Sequence, residues 1–284
     1  MPKANNFGDL PREYSSAADA RVVIVPVPYD RTSTWIKGAD RGPAAIIEAS
    51  ANMELYDIET DSEVCRRGIF TDRPIRASLP GEQMVKAVRQ RVLAHIDKGK
   101  FVVTLGGEHS VSIGAVEAYA KRYSDITVLQ LDAHTDLRDE YQGSRYNHAC
   151  VMARVKEICP IVQVGIRSMD VSETKSLDKR RAFFAEHIYD SKAWIARVVR
   201  GLTKNVYVTI DLDVFDPSIM PSTGTPEPGG LLWYDVLKLL KAVCAAKTVI
   251  GFDVVELCPN EKNKAPDFLA AKLIYKLLSY RFAG

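Results

Sequence analysis

Long hydrophobic runs are missing from this chain of 284 residues. The longest, at residues 22–27 and 249–252, fall far short of the ~20 residues a membrane helix needs, so no membrane association is expected. The opening MPKANNFGDLPREYSS has no apolar signal core, which makes the cytoplasm the expected location. Cysteine is sparse: Cys65, Cys150, Cys159, Cys244 and Cys258 are odd in number and form no CxxC pair. A disulfide framework or zinc knuckle has no support, and reduced core thiols are expected. Excess charge is also missing, with 38 Lys and Arg against 36 Asp and Glu. A net charge of +2 gives no field to collect polyanions, so nucleic acid is not an expected partner. No repeat, low-complexity tract or Gly/Ser linker divides the chain, which points to a single domain over residues 1–284.

What is present is enough apolar sequence, 46% of the residues, to bury a large core. Apolar, β-branched runs recur at residues 21–27, 101–105, 126–131, 161–164, 205–210 and 248–254, with a weaker candidate at 182–185. Helical spacing fills the intervals at 44–55, 82–96, 110–123, 149–158, 192–202, 234–246 and 267–281. Doubly buried strands alternating with helices require right-handed crossovers and a mainly parallel sheet covered on both faces. The expected fold is three-layer α/β/α. In such sheets ligands sit beyond the carboxyl ends of the strands.

Chemistry-bearing residues concentrate there. The run 101–105 leads into Gly106, Gly107, Glu108, His109 and Ser110, where paired glycines allow a tight turn and His109 emerges at a helix start. The run 126–131 leads into Asp132, Ala133, His134, Thr135 and Asp136. Alternate side chains of an extended segment share a face, so Asp132, His134 and Asp136 are expected to converge. Crowded carboxylates and an imidazole need a cation between them. Asp211 and Asp213 repeat the pattern after the run 205–210. Six oxygen and imidazole ligands without thiolate favour Mn²⁺ over structural zinc, with Co²⁺ and Ni²⁺ also compatible. They exceed what one catalytic ion needs, which points to two ions activating a water for hydrolysis.

The segments GGEHS (106–110), DAHTD (132–136) and TIDLDVFDPSIMPSTGTPEPGG (209–230) resemble the three signature segments of the arginase/agmatinase, or ureohydrolase, family, in family order and spacing. The resemblance spans about residues 22–282. It implies an eight-stranded parallel sheet and two manganese ions per subunit, held by His109, Asp132, His134, Asp136, Asp211 and Asp213. It further implies His148 as a proton shuttle or substrate-positioning group and Glu256 as the carboxylate that pairs with a substrate guanidinium. Asp170 is implied near the metals and the substrate tail, while Asp253, off the alternation that carries Glu256, is read as structural.

The implied reaction is attack of a metal-bridging hydroxide on the guanidinium carbon, with Asp136 passing a proton to the leaving amine and urea as product. A small cationic guanidino substrate fits this charge count. Agmatine, giving putrescine, is the first choice, with guanidinobutyrate or another guanidino acid second and formiminoglutamate third. The tail is expected to be read by the loop 137–147, where Asp139 and Glu140 are candidates for an ammonium and Arg138 and Arg145 for a carboxylate, although a run of mixed charges more commonly forms a solvated face. Arg138 stands where arginases typically carry Asn, a departure from the arginase pattern. A non-catalytic metal-binding relative is the alternative of a different class. The family usually forms trimers or hexamers, with the N-terminal segment and the last helix as contact elements.

Overall fold

The computed structural model describes residues 6–191 and 193–282. Its eight strands are β1 (Val22–Val27), β2 (Ile69–Thr71), β3 (Phe101–Gly106), β4 (Ile126–Leu131), β5 (Ile161–Ile166), β6 (Ala182–Phe184), β7 (Asn205–Asp211) and β8 (Thr248–Val255). The helices are α1 (Arg12–Ser15), α2 (Gly42–Ser50), α3 (Gly81–Ile96), α4 (Val111–Ala120), α5 (Val151–Lys156), α6 (Ala185–Tyr189), α7 (Trp194–Gly201), α8 (Trp233–Ala246) and α9 (Ala265–Phe282). The expected start of α7 at position 192 lies outside the described residues. All strands pair in parallel, in the order β2-β1-β3-β8-β7-β4-β5-β6.

Every expected run became a strand. β2 was not anticipated, because Ile69-Phe70-Thr71 is too short to show a pattern and pairs only along one side of β1. Strand alternation divides the core in two. Val22 and Ile24 of β1, with Val206, Val208 and Ile210 of β7, face α2, α7, α8 and α9. Val23, Val25 and Val27 face α3, α4 and α5 instead. The four central strands, β3, β8, β7 and β4, are buried almost throughout, and their carboxyl ends open on one side of the sheet.

The last helix, α9, is buried on nearly all sides and carries a charge inward. Lys276, 7% exposed, lies 3.0 Å from Asp57 and 2.6 Å from Glu59, tying the C-terminal helix to a loop more than 200 residues earlier. Burial raises Asp57, but the bonds from Lys276 and Thr60 outweigh it and leave the carboxyl below its ordinary value. Bonds from Lys241, Lys276 and Tyr280 lower Glu59 from 4.5 to about 2. Removing one partner from a buried ion pair leaves the other charge uncompensated. Lys276→Ala is therefore expected to cost roughly 3 kcal/mol in denaturant unfolding. Depressed carboxylates contribute fully above their unfolded values and lose that contribution as pH falls through the folded ones. The wild type should lose stability between pH 4.5 and about 2, and Lys276→Ala should flatten that part of the curve.

Candidate metal centre

The four central strand ends converge on one cluster. The turn after β3 delivers His109, and it closes tightly because Gly107 packs on the chain after β1. A Cβ at Gly107 would lie 2.0 Å from the Tyr29 carbonyl oxygen, so only glycine fits. Backbone bonds from Gly107 to Val27 (2.8 Å), from Glu108 to Tyr29 (2.7 Å) and from Glu256 to Gly107 (2.8 Å) lock this turn between β1 and β8.

His109 Nδ1 lies 3.3 Å from Asp132, 3.0 Å from Asp136 and 3.5 Å from Asp211, and it is buried without a hydrogen-bond partner. Behind it, Nε2 lies 2.9 Å from Thr209 Oγ1, whose hydroxyl donates to Asp253 at 2.6 Å. Tyr207 donates to the other Asp253 oxygen, also at 2.6 Å. With the Thr209 proton directed at Asp253, Nε2–H is the donor and the Nδ1 lone pair faces the carboxylates. Asp253 thus orients His109 from the second layer, which gives its structural reading a specific form. On the far side, His134 Nδ1 lies 2.9 Å from Asp213 and 3.6 Å from Asp132.

Ligand atoms of His109, Asp132 and Asp211 form one group within 4.8 Å of each other, and those of Asp132, His134 and Asp213 form a second that shares Asp132. Asp136 joins the first through His109. These all-oxygen-and-imidazole donors and the orphaned Nδ1 have the chemistry to hold divalent metal. The electrostatics demand positive charge. Burial, then Asp132, pushes Asp136 up to about 7, and burial with the neighbouring carboxylates raises Asp211 well above its ordinary range. Burial opposes a charged His134, but Asp213 and then Asp132 hold it up to about 12.

All six expected donors meet, although not by the alternation the sequence suggested. Asp136 has φ 52°, so the chain has turned into the left-handed region before that side chain reaches His109. Asp213 lies in the 3₁₀ turn Leu212–Val214, whose first backbone N–H donors include that of Asp213, bonded to the Asp211 side chain at 2.9 Å. Glu256 follows β8 with φ 66°, and its carboxylate accepts from the His109 backbone at 2.7 Å. Burial and then Glu108 push its carboxyl well above the usual range.

A cavity of about 260 Å³ opens over this cluster and includes Glu256, His148, Tyr141, Arg138 and Asp170 in its walls. Thr32 Oγ1 donates to Glu108 at 2.8 Å, accepts from the His148 backbone at 3.0 Å and lies 3.2 Å from His148 Nδ1. Burial first, and then the positive charge of the neighbouring cluster, lowers His148 to about 4. Asp170 caps the 3₁₀ turn Val171–Lys175 through Ser172 and lies 3.5 Å from Arg138, in the wall of the cavity that opens over the cluster. Arg138 stacks over Tyr141, 4.5 Å from the ring centre. Asp139 turns outward to Arg145 and Arg154, and Arg145 also pairs with Glu157, so Asp139 and Arg145 lie outside this wall, as does exposed Glu140.

Sequence reasoning assigned no role to Glu108, Thr32, Gln130 or Glu173. Gln130 donates to Asp132 at 2.7 Å. Buried Glu173 accepts from Thr135 (2.8 Å), Leu137 (2.7 Å) and Asp170 (2.6 Å), fixing the chain after the cluster. Glu108 lies inside GGEHS, where no spacing rule singles it out. Replacing the relay hydroxyl by Thr209→Val should lower divalent-cation affinity by roughly 10–100-fold, read by calorimetric Mn²⁺ titration of the metal-stripped protein.

Residues 20–279 match the sequence model of the arginase family. The chain is 40% identical to an N(1)-aminopropylagmatine ureohydrolase of Synechocystis sp., across 99% of this chain and 97% of that protein. It is 33% identical to an agmatinase of Pyrococcus horikoshii, across 92% of each. The crystal structure of an agmatine ureohydrolase of Thermoplasma volcanium superposes with a TM-score of 0.88 at 32% identity, covering 95% of this chain and 93% of that one.

Proposed function

The chain belongs to the arginase family, and from that premise we propose that it is an agmatinase-type amidinohydrolase that releases urea from a cationic alkylguanidine. Agmatine and its N1-aminopropyl derivative are the substrates within that class. The relatives' activities support the class, and the greater identity to the aminopropylagmatine enzyme favours the longer compound. The observation that carries the reading is the joining of the six-donor cluster, Glu256 and His148 in one cavity.

His109, Asp132, His134, Asp136, Asp211 and Asp213 are assigned as ligands of two divalent ions, Mn²⁺ first on the donor set. When bound, such ions supply Lewis-acid stabilisation and a water acidic enough to act as nucleophile near neutrality. Glu256 holds the guanidinium by a charge-assisted pair and aims its carbon at the cluster. Water adds to that carbon, the bond to the alkyl nitrogen breaks, and Asp136 moves a proton to the departing amine. Urea and a free amine result. His148, neutral at working pH, positions the substrate and carries protons to bulk water. Its Nδ1 is steadied by Thr32, which in turn is held by Glu108.

The cavity favours a cationic or neutral tail over a carboxylated one. Arg138 is the one Lys or Arg among its described lining residues, and Asp170 already pairs with it. Guanidinobutyrate, arginine and formiminoglutamate therefore meet no free cation there. We further assign the chain as a single domain and a cytoplasmic homo-oligomer, trimer or hexamer. Among the described residues, no helix is long and apolar enough to cross a membrane.

Two measurements test this reading. Urea release by Mn²⁺-reconstituted protein should give kcat/KM highest for N1-aminopropylagmatine, then agmatine, with arginine and 4-guanidinobutyrate far lower. No urea from any of them would return the weight to a non-catalytic relative. His148→Ala and Glu256→Gln should each lose about 10²-fold or more in kcat/KM while keeping their metal content. Normal turnover by either variant removes that residue from the mechanism.

A further inference from the structure

The mouth of the cavity carries two aromatic faces in opposite conditions. Tyr141 is covered by the Arg138 guanidinium at 4.5 Å. Trp35 also lines the cavity, yet it is 76% exposed, and no Lys or Arg among the described residues stacks on it. An indole displayed to water at a binding cavity is an unusual use of the most cation-attractive side chain.

Its loop is tied at several points. Thr32 is bonded to Glu108 and His148 at the inner end. Asp30 accepts from the Gly38 backbone at 2.6 Å and from Ala39 at 3.2 Å at the outer end. Between them Ile36 donates to the Gly224 carbonyl at 3.3 Å, and a Cβ at Gly224 would lie 3.6 Å from the Glu256 carboxylate. Trp35 is thus one residue from a segment that contacts the neighbour of the guanidinium-holding carboxylate. Asp170, 38% exposed at its side chain and paired with Arg138 at 3.5 Å, lines the same cavity.

We propose that Trp35 forms a cation–π subsite for a second, distal ammonium, and so sets the preference for long alkylguanidines that carry an aminoalkyl extension beyond the agmatine nitrogen. The subsite rests on the amidinohydrolase reading above. It deepens that reading by naming the side chain that distinguishes a tail with two nitrogens from a tail with one. The wall already holds one cation on an aromatic face through Arg138 and Tyr141, and Trp35 repeats the device with its face open.

The test compares wild type, Trp35→Ala and Trp35→Phe with N1-aminopropylagmatine and agmatine. Trp35→Ala should lower the ratio of the two kcat/KM values by about three- to tenfold, chiefly through KM of the longer compound, and Trp35→Phe should recover most of it. An unchanged ratio overturns the subsite. Spermidine, the amine left when urea departs from the longer substrate, gives a readout that needs no turnover. It should quench tryptophan emission of the wild type at lower concentration than putrescine does, and Trp35→Phe should abolish that difference, because Trp194 is buried and Trp233 half-buried. Equal quenching by the two amines, or an emission that acrylamide cannot reach because a second copy covers the indole, also overturns the subsite. Wild-type protein that releases no urea from either guanidine defeats the functional reading instead, and the spermidine titration still decides whether the amine subsite exists.

Discussion

Four buried aspartates sharing one small volume with two imidazoles is an arrangement that protein alone cannot stabilise. Their like charges and the loss of water both push protons on, and bound positive charge would be the compensation that leaves the carboxylates ionised. Much of the surrounding structure holds these side chains against their own repulsion. Thr209 and Asp253 fix His109 from behind, Gln130 holds Asp132, and the backbone N–H of Ala133 donates to Asp213 at 3.0 Å. Asp136 and Glu256 keep left-handed backbone conformations that a non-glycine residue adopts at a cost.

The fold and the donor set were legible because each rests on a short-range rule. Buried strands announce themselves as β-branched runs, and strand ends in a parallel sheet gather polar residues. The way the donors converge was not legible. Alternation placed Asp136 and Asp213 on the right face, but the chain reaches them by a left-handed residue and a 3₁₀ turn, which leave no periodic trace. Glu108, Thr32 and Glu173 were invisible for another reason. A carboxylate or hydroxyl that binds backbone from a distant segment looks in sequence like any solvated polar residue. In the loop 137–147, Asp139 and Arg145 take the solvated face that a run of mixed charges favours, drawn outward by Arg154 and Glu157.

The cavity therefore has two halves of different construction. The reacting end is built on the termini of four central strands, where backbone ladders fix positions closely. The mouth is built from connecting segments, with Trp35, Arg138, Tyr141 and Asp170 each on a loop or short turn. Changes at the mouth can alter which tail is accepted while the proposed metal ligands stay where the sheet puts them.

The strand order bears on how the chain is made. β3 and β4 follow one another in sequence, yet β8 and β7 stand between them in the sheet. Up to β6 the chain forms two groups of three strands, β2-β1-β3 and β4-β5-β6, with no strand pairing between them. The edges later covered by β8 and β7 are then bare, each a template for unwanted pairing. His109 and Asp132 belong to opposite groups, so the cluster cannot assemble until β7 and β8 have inserted at the centre of the sheet. Assembly of the cluster is thus a late event in the folding of the sheet.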